Sequence, residues 1–223
     1  MNNAYELPMQ RLLREIRSDV SSTAHFTGRA SLDERVLKAF ERVPRHAFVP
    51  EELEDRAYDN YPLPIGHGQT ISQPYIVALM TDLIRPRADH VILEVGTGSG
   101  YQAAVLSGVV RQVYTLEIVA ALVETARERL QRLGYGNVEV RCGNGRQGWP
   151  EHAPYDGILV TAAAEEVPAA LIEQLKPGGN LVIPVGSSYF GQQLRLISKD
   201  ADGSLRERNV LPVVFVPLTG GTP

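Results

Sequence analysis

Val91-Ile-Leu-Glu-Val-Gly-Thr-Gly-Ser-Gly-Tyr-Gln-Ala-Ala-Val105 is the stretch that decides the fold of this 223-residue chain. The branched apolar residues at its start predict a buried strand, the three closely spaced glycines predict a turn, and the residues after them predict a helix. A strand, a glycine-rich turn and a helix in this order hold a nucleotide cofactor in several families of enzymes. The first question is therefore which cofactor this turn binds.

The composition is that of a folded protein without an overall basic charge. Hydrophobic residues make up 43% of the chain and charged residues 22%, and the formal net charge is −4. The isoelectric point is about 5.8. Such a chain has no general field that would attract nucleic-acid phosphates, although a local basic patch would still serve. We therefore expect no nucleic-acid partner.

Cysteine usage and hydropathy indicate the cellular location of the chain. Cys142 is the single cysteine, so neither an intramolecular disulfide nor a cysteine cluster for zinc can form. Residues 1–20 carry charges among their apolar positions, unlike a secretory signal, and no apolar run approaches the roughly 20 residues of a membrane-spanning helix. We expect a cytoplasmic monomer without a membrane partner, and a buried Cys142. The histidines are scattered, so we expect no metal.

From residue 89 onwards, predicted strands alternate with predicted helices. The strands are expected at residues 90–95, 112–116, 138–142, 157–161 and 180–185. The helices between them are expected at residues 102–107, 119–133 and 167–175. Repeated β-α-β units predict a parallel sheet that is covered by helices on both faces. Two last runs, 193–199 and 205–216, flank Ala201-Asp-Gly203 and predict an antiparallel hairpin at the edge of the sheet.

The N-terminal part adds helices and a long extended segment. Apolar residues at helical spacing predict a helix over residues 7–20. Ser31-Leu-Asp-Glu34 matches a capping box, which would begin a second helix at Ser31 that ends near Arg42. Residues 43–73 are rich in proline and too long for an idle connector, so we expect a functional segment there. Pro74 would begin a well-buried helix that ends at residue 84.

Three features after the first strand bear on the identity of the cofactor. The glycines follow a G-x-G-x-G pattern, and Tyr101 stands where a dinucleotide-binding loop has the glycine that lets strand and helix pack beneath a pyrophosphate. Glu117 ends the next strand, where a carboxylate accepts both ribose hydroxyls of either NAD or S-adenosylmethionine. Gly143-Asn144-Gly145 follows the third strand, where an adenine edge would lie. Together the three features favour S-adenosylmethionine.

Segments over about residues 40–186 carry a family resemblance. They are, in order, RVPRHAFVPEE, AYDNYPLPIGHGQTISQPYIVALM, ILEVGTGSGYQAAVLS, VYTLE, GNGRQGWP, PYDGILVTAAAEEVP and LKPGGNLVIPVG, and the closing VFVPLT also fits. In these segments the chain resembles the class I methyltransferases and, more closely, the protein-L-isoaspartate O-methyltransferases.

The resemblance implies a fold and a domain organisation. We expect a Rossmann-like three-layer α/β sandwich whose seven-stranded sheet is mostly parallel, with an antiparallel C-terminal edge and added N-terminal helices. A single methyltransferase domain would span residues 1–223. Within it, residues 1–88 would form the N-terminal helices and the substrate-side loop, residues 89–186 the cofactor-binding core, and residues 187–223 the C-terminal antiparallel strands.

The resemblance also implies an activity. In this family a methyl group passes from S-adenosylmethionine to the free α-carboxylate of an L-isoaspartyl residue in a damaged protein or peptide, leaving S-adenosylhomocysteine. The ester collapses to a succinimide, whose hydrolysis returns some normal aspartate. Isoaspartyl-containing proteins and peptides would therefore be the partners of this chain.

Site residues follow from the same match. Ser72 matches the active-site serine of the family, whose hydroxyl would donate to the substrate carboxylate; the alternative is that Ser72 caps the helix that begins at Pro74. Further substrate contacts would come from Thr70, Ile71, Gln73 and Thr219. The cofactor would be bound by Glu94, Gly96, Thr97, Gly98, Ser99, Glu117, Asn144 and Gly145.

Two of the cofactor residues have alternative interpretations. Glu94 would either reach the cofactor through water or only orient the glycine loop. The family usually has Asp where this chain has Asn144, so adenine would be contacted by a neutral acceptor, unless residues 143–145 are only a turn.

Three other functions stay open: a methyltransferase acting on RNA or a small molecule, a nicotinamide oxidoreductase, and a non-catalytic module that binds the cofactor.

Overall fold

A computed structural model describes residues 5–187 and 189–220 of the chain. The N-terminal part contains helices α1 (Glu6–Ser22), α2 (Ala24–Thr27) and α3 (Glu34–Arg42), and α1 buries the apolar face that was predicted. The predicted start of the second helix at Ser31 is wrong. Helix α3 begins after Asp33, whose carboxylate accepts a hydrogen bond of 2.8 Å from the N–H of Arg35. The N–H of Asp33 in turn donates to the buried Asp82, which holds this end of α3 in place.

The proline-rich segment over residues 43–73 is only partly extended. It forms two short 3-10 helices, Arg45–Phe48 and Glu51–Arg56, and then a hairpin of β1 (Leu63–Gly66) and β2 (Gln69–Ile71). Helix α4 (Pro74–Leu83) follows directly, with all of its residues buried as predicted.

A seven-stranded sheet forms the centre of the described structure. Its strands in spatial order are β5 (Val138–Cys142), β4 (Gln112–Glu117), β3 (Val91–Val95), β6 (Tyr155–Val160), β7 (Leu175–Ser187), β8 (Gly191–Lys199) and β9 (Leu205–Val213). The first five run parallel, whereas β8 is antiparallel to β7 and β9 is antiparallel to β8. The predicted mostly parallel sheet with an antiparallel C-terminal edge is confirmed. The last strands follow one another in chain order, which the sequence did not predict.

Helices α5 (Tyr101–Ser107), α6 (Ala120–Arg132) and α7 (Ala169–Glu173) connect the parallel strands. Alternate residues of the central strands contribute to two separate apolar cores, one that includes the N-terminal helices and α5, and one that includes α7 and Trp149. The three-layer sandwich is thereby confirmed. Cys142 is exposed rather than buried, because β5 is the outermost strand and buries only its central Val140.

The connectivity of the sheet places a crevice above β3. From β3 the chain moves outward to β4 and β5, and it then returns to pair β6 on the opposite side of β3. Ligands of open α/β sheets bind at the carboxyl ends of the strands where the strand order reverses in this way. The glycine turn after β3 lies at that position. No helix in the described parts of the chain is long and apolar enough to cross a membrane.

Candidate active site

The glycine loop bends sharply at the carboxyl end of β3. Gly96, Gly98 and Gly100 have φ angles of 99°, 52° and 88°, a region that favours glycine. A Cβ at Gly96 would lie 2.3 Å from Oγ1 of Thr161, and this hydroxyl donates to the carbonyl oxygen of Gly96 at 2.6 Å. The loop therefore rests against the end of β6, with no room for a side chain at Gly96.

Glu117 lies beside this loop at the end of β4. Its Oε2 accepts a hydrogen bond of 2.9 Å from the N–H of Gly98, and its Oε1 accepts from the N–H groups of Ile118 and Val119 at 2.9 and 3.0 Å. Its carboxylate lines a narrow cleft together with backbone of the glycine loop and of the turn after β5. Glu117 is thus a preoriented acceptor in the position where a ribose would bind.

Glu94 lies beneath the loop rather than in the cleft. Its side chain is completely buried, and its Oε2 accepts from the Thr115 hydroxyl, which is also 2.7 Å from the hydroxyl of Thr97. Burial raises the pKa of Glu94 to about 8, and the nearby charge of Glu117 adds to this effect. Glu94 is therefore a neutral acid that is hydrogen-bonded beneath the loop, which favours the interpretation that it orients the loop.

The turn after β5 closes the other end of the cleft. A Cβ at Gly145 would lie 2.2 Å from Cγ1 of Val95, so the backbone packs directly on the end of β3. Both polar atoms of the Asn144 side chain are engaged within the protein: Oδ1 accepts from the N–H of Arg146 at 3.0 Å, and Nδ2 donates to the carbonyl oxygen of Gly220. Gly143 and Gly145 line the cleft directly.

The C-terminal segment lies across this cleft. The N–H of Ala163 donates to the carbonyl oxygen of Val216 at 2.8 Å, and the N–H of Leu218 donates to the carbonyl oxygen of Ala163 at 2.7 Å. Residues 216–219 consequently form one wall, which includes Thr219. Thr219 was predicted to contact the substrate, but in this structure it lines the cofactor cleft rather than the cavity that contains Ser72.

Ser72 lines a larger cavity of about 530 Å³, together with Thr70, Gln73 and residues 211–216. The Ser72 hydroxyl does not cap α4, because the N-cap residue is Gln73 and makes no side-chain hydrogen bond there. Instead, Oδ1 of Asn60 accepts from the N–H of Tyr75 at 3.0 Å. The serine hydroxyl is therefore not used for the helix start.

A small third cavity joins the two sides of the site. Ile71 and Ser72 line it from the substrate-side segment, and the loop from Gly96 to Ser99 lines it from the cofactor side. Thr70 and Thr161 line all three cavities, so they stand where the cofactor cleft and the Ser72 cavity meet. A group bound at the glycine loop thus faces a group bound at Ser72.

Sequence reasoning missed three residues of this site: Arg45, Asn60 and Thr161. Thr161 carried a usable signal, since it is a polar residue that directly follows a buried parallel strand. Arg45 and Asn60 act through contacts with residues well separated in the chain, which residue spacing does not reveal. Arg45 is fully buried, and its Nη2 donates to the carbonyl oxygen of Ser72 at 2.8 Å.

The sheet is Rossmann-like and has a glycine loop where the strand order reverses. An acid lies at the end of the neighbouring strand, and a second glycine turn follows the strand beyond it. This arrangement defines a class I S-adenosylmethionine-dependent methyltransferase. Gly96 and Gly145 line the cleft with backbone that carries no side chain, and Glu117 offers a carboxylate oxygen to a ribose hydroxyl, so the residues present fit this cofactor. The family model for protein-L-isoaspartate(D-aspartate) O-methyltransferase matches residues 25–223. The chain belongs to that family.

Individual relatives agree with the family model. Protein-L-isoaspartate O-methyltransferase 2 of Syntrophobacter fumaroxidans is 57% identical over 99% of this chain and 89% of its own length. The protein of the same name from Polaromonas sp. is 60% identical over 94% of this chain and 99% of its own. A Plasmodium falciparum protein assigned to the same enzymes was crystallised with S-adenosyl-L-homocysteine; its structure has a TM-score of 0.77 and 25% identity, covering 98% of this chain and 99% of its own.

Proposed function

We propose that this chain transfers the methyl group of S-adenosylmethionine to the free α-carboxylate of L-isoaspartyl residues in damaged proteins and peptides. The products are a methyl ester and S-adenosylhomocysteine, and the ester then collapses through a succinimide towards aspartate. The observation that carries the proposal is the shared cavity between Ser72 and the glycine loop, because it joins a hydroxyl that does not cap α4 to the cofactor cleft.

The reaction depends on the alignment of the reacting atoms more than on acid–base catalysis. A carboxylic acid of ordinary pKa is already ionised at neutral pH, so no residue has to remove a proton from it. The bound cofactor supplies an electrophilic methyl on a cationic sulfur. Attack by an anion on this cation neutralises charge, so a cavity that excludes water favours the transfer and holds the reacting atoms in line.

We assign the protein residues as follows. The Ser72 hydroxyl donates to the substrate carboxylate and orients it, and Thr70 and Gln73 line the same cavity. Gly96 and Gly98 allow the backbone to approach the methionine part of the cofactor, and Glu117 accepts from the ribose. The turn over residues 143–145 faces the adenine. Glu94 supports the loop from below, and the buried side chains of Thr97 and Ser99 stabilise the loop from within.

The partners of the chain are part of the same proposal. Isoaspartyl-containing proteins and peptides are the substrates, with no nucleic-acid partner, and the chain acts as a cytoplasmic monomer. The acidic composition supports the absence of a nucleic-acid substrate.

The test uses labelled S-adenosylmethionine and two peptides that differ only in an Asp or an isoAsp linkage. We expect a base-labile methyl ester on the isoAsp peptide alone. Transfer to neither peptide, with the cofactor still bound, would contradict the proposal and favour a binding module or a different substrate. Equal transfer to both peptides would contradict the isoaspartyl specificity.

A further inference from the structure

Arg45 is a fully buried cation whose hydrogen-bond partners are backbone carbonyl groups. Its Nε donates to the carbonyl oxygen of Ala57 at 2.8 Å, and its Nη2 donates to those of Ser72 and Tyr61 at 2.8 and 3.4 Å. Its guanidinium carbon lies 4.7 Å from the centre of the Tyr101 ring. Within residues 5–187 and 189–220, all of these partners are carbonyl groups or an aromatic face, and no carboxylate forms an ion pair with Arg45.

An unpaired buried charge is expensive to maintain. Removal of a cation from water costs several kcal/mol unless an anion or a set of hydrogen bonds compensates it. Burial lowers the pKa of Arg45 only to about 10, so the guanidinium still carries its charge at neutral pH. Carbonyl groups solvate this charge but do not neutralise it, which leaves a net positive charge behind the Ser72 peptide group.

The charge of Arg45 lies behind Ser72, which lines the cavity, so it can act on an anion that is bound there. Ser72, Gln73 and Tyr75 line the cavity at the start of α4, where the helix dipole also presents its positive end. Asp19 also lines the cavity, from α1, and one of its oxygens accepts from Nδ2 of Asn60 at 2.7 Å. Asp19 forms no ion pair with Arg45, and neither does any other carboxylate among the described residues.

We propose that Arg45 is the counter-charge of the substrate carboxylate and acts on it from behind the Ser72 peptide group. The inference rests on the proposed function, because it names the group that recognises the isoaspartyl α-carboxylate as an anion. Arg45 does not touch the substrate. It fixes the carbonyl group of Ser72, and thereby the Ser72 hydroxyl, and its field attracts the negative charge that this hydroxyl orients.

The test compares an isoAsp peptide with its neutral isoAsn counterpart, in which an amide replaces the carboxylate. Both are titrated into the chain loaded with S-adenosylhomocysteine. We expect the wild-type chain to bind the acid more tightly than the amide. In Arg45→Met this preference, measured as the ratio of the two Kd values, should fall on the order of tenfold. Arg45→Lys should keep most of it because the charge remains. Arg45→Gln, which retains an N–H donor for the Ser72 carbonyl, should lose it like Arg45→Met.

Arg42→Met is the matched control, because it removes an exposed positive charge three residues away in the chain. Equal weakening of both peptides in Arg45→Met and Arg45→Gln would overturn the proposal, since a purely structural residue would act in this way. Should these variants fail to fold, equal affinity of the wild-type chain for the two peptides would overturn it as well. Failure of the proposed function is a separate result, because it is measured as the absence of methyl ester from the isoAsp peptide.

Discussion

The carboxylate of Glu117 and the backbone N–H of Gly98 are joined by a hydrogen bond of 2.9 Å, which ties the end of β4 to the glycine loop that follows β3. The other carboxylate oxygen is held by two N–H groups at the start of the β4–α6 connection. Each oxygen of an ionised carboxylate can accept a second hydrogen bond. Because Oε1 already accepts two, Glu117 serves the loop and retains one acceptor position, on Oε2, for a ribose hydroxyl.

Glu117→Ala should weaken cofactor binding by at least about tenfold, because hydrogen bonds to a charged acceptor contribute roughly 1.5–3 kcal/mol each. Isothermal titration with S-adenosylhomocysteine measures the change in Kd. Glu128→Ala is the matched control, since Glu128 is exposed on α6. An unchanged Kd in Glu117→Ala would remove this residue from the cofactor site.

Ser72→Ala should lower the rate of methyl transfer to an isoAsp peptide much more than it weakens cofactor binding, because the hydroxyl lines the substrate cavity and does not cap α4. Steady-state kinetics and a cofactor titration give the two quantities. Ser18→Ala, at an exposed position of α1, serves as the control. Full activity in Ser72→Ala would contradict a role in the reaction.

Asn144→Asp should speed the release of S-adenosylhomocysteine by roughly fivefold, the effect of losing one neutral hydrogen bond. The amide donates to the carbonyl oxygen of Gly220, and a carboxylate in its place can only repel that oxygen. Stopped-flow release measures the rate, and Asn209→Asp, on an exposed face of β9, is the control. Slower release would instead indicate that residue 144 contacts the adenine amino group, for which Asp is the stronger acceptor.

Glu94→Gln should change the pH dependence of stability. The pKa of Glu94 rises from an ordinary 4.5 to about 8 on folding, so between these values the folded chain holds a proton that the unfolded chain has lost. The free energy of unfolding of the wild-type chain therefore falls as pH rises through this window, by at most about 1.4 kcal/mol per pH unit. The free energy of unfolding of Glu94→Gln does not fall in this way, so the stability of this variant relative to the wild type should improve from pH 5 to pH 8.

Urea denaturation at several pH values across this window measures the difference between the two chains. Glu173→Gln, at an exposed position of α7, should show no such trend. A wild-type and Glu94→Gln pair whose stabilities run parallel with pH would mean that Glu94 is ionised in the folded chain.

The sequence by itself determined the layout of the molecule. The branched apolar strands, the helical spacing between them and the Asp-Gly turn near the end predicted the mixed sheet. The glycines after β3, with Glu117 and the turn over residues 143–145, predicted the side of the sheet on which a cofactor binds. These features are local, because each is encoded by the period of a short segment or by a residue type that one backbone conformation requires.

Only the tertiary structure decided how single side chains are used. It gave the cap of α3 to Asp33 and the start of α4 to Asn60, directed the Asn144 amide to Gly220, and left Cys142 exposed on an outer strand. It also buried the charge of Arg45 against the carbonyl group of Ser72, 27 residues later in the chain. Partners far apart in sequence, and the loss of solvent around a charge, depend on how elements pack together, and no periodic pattern along the chain encodes them.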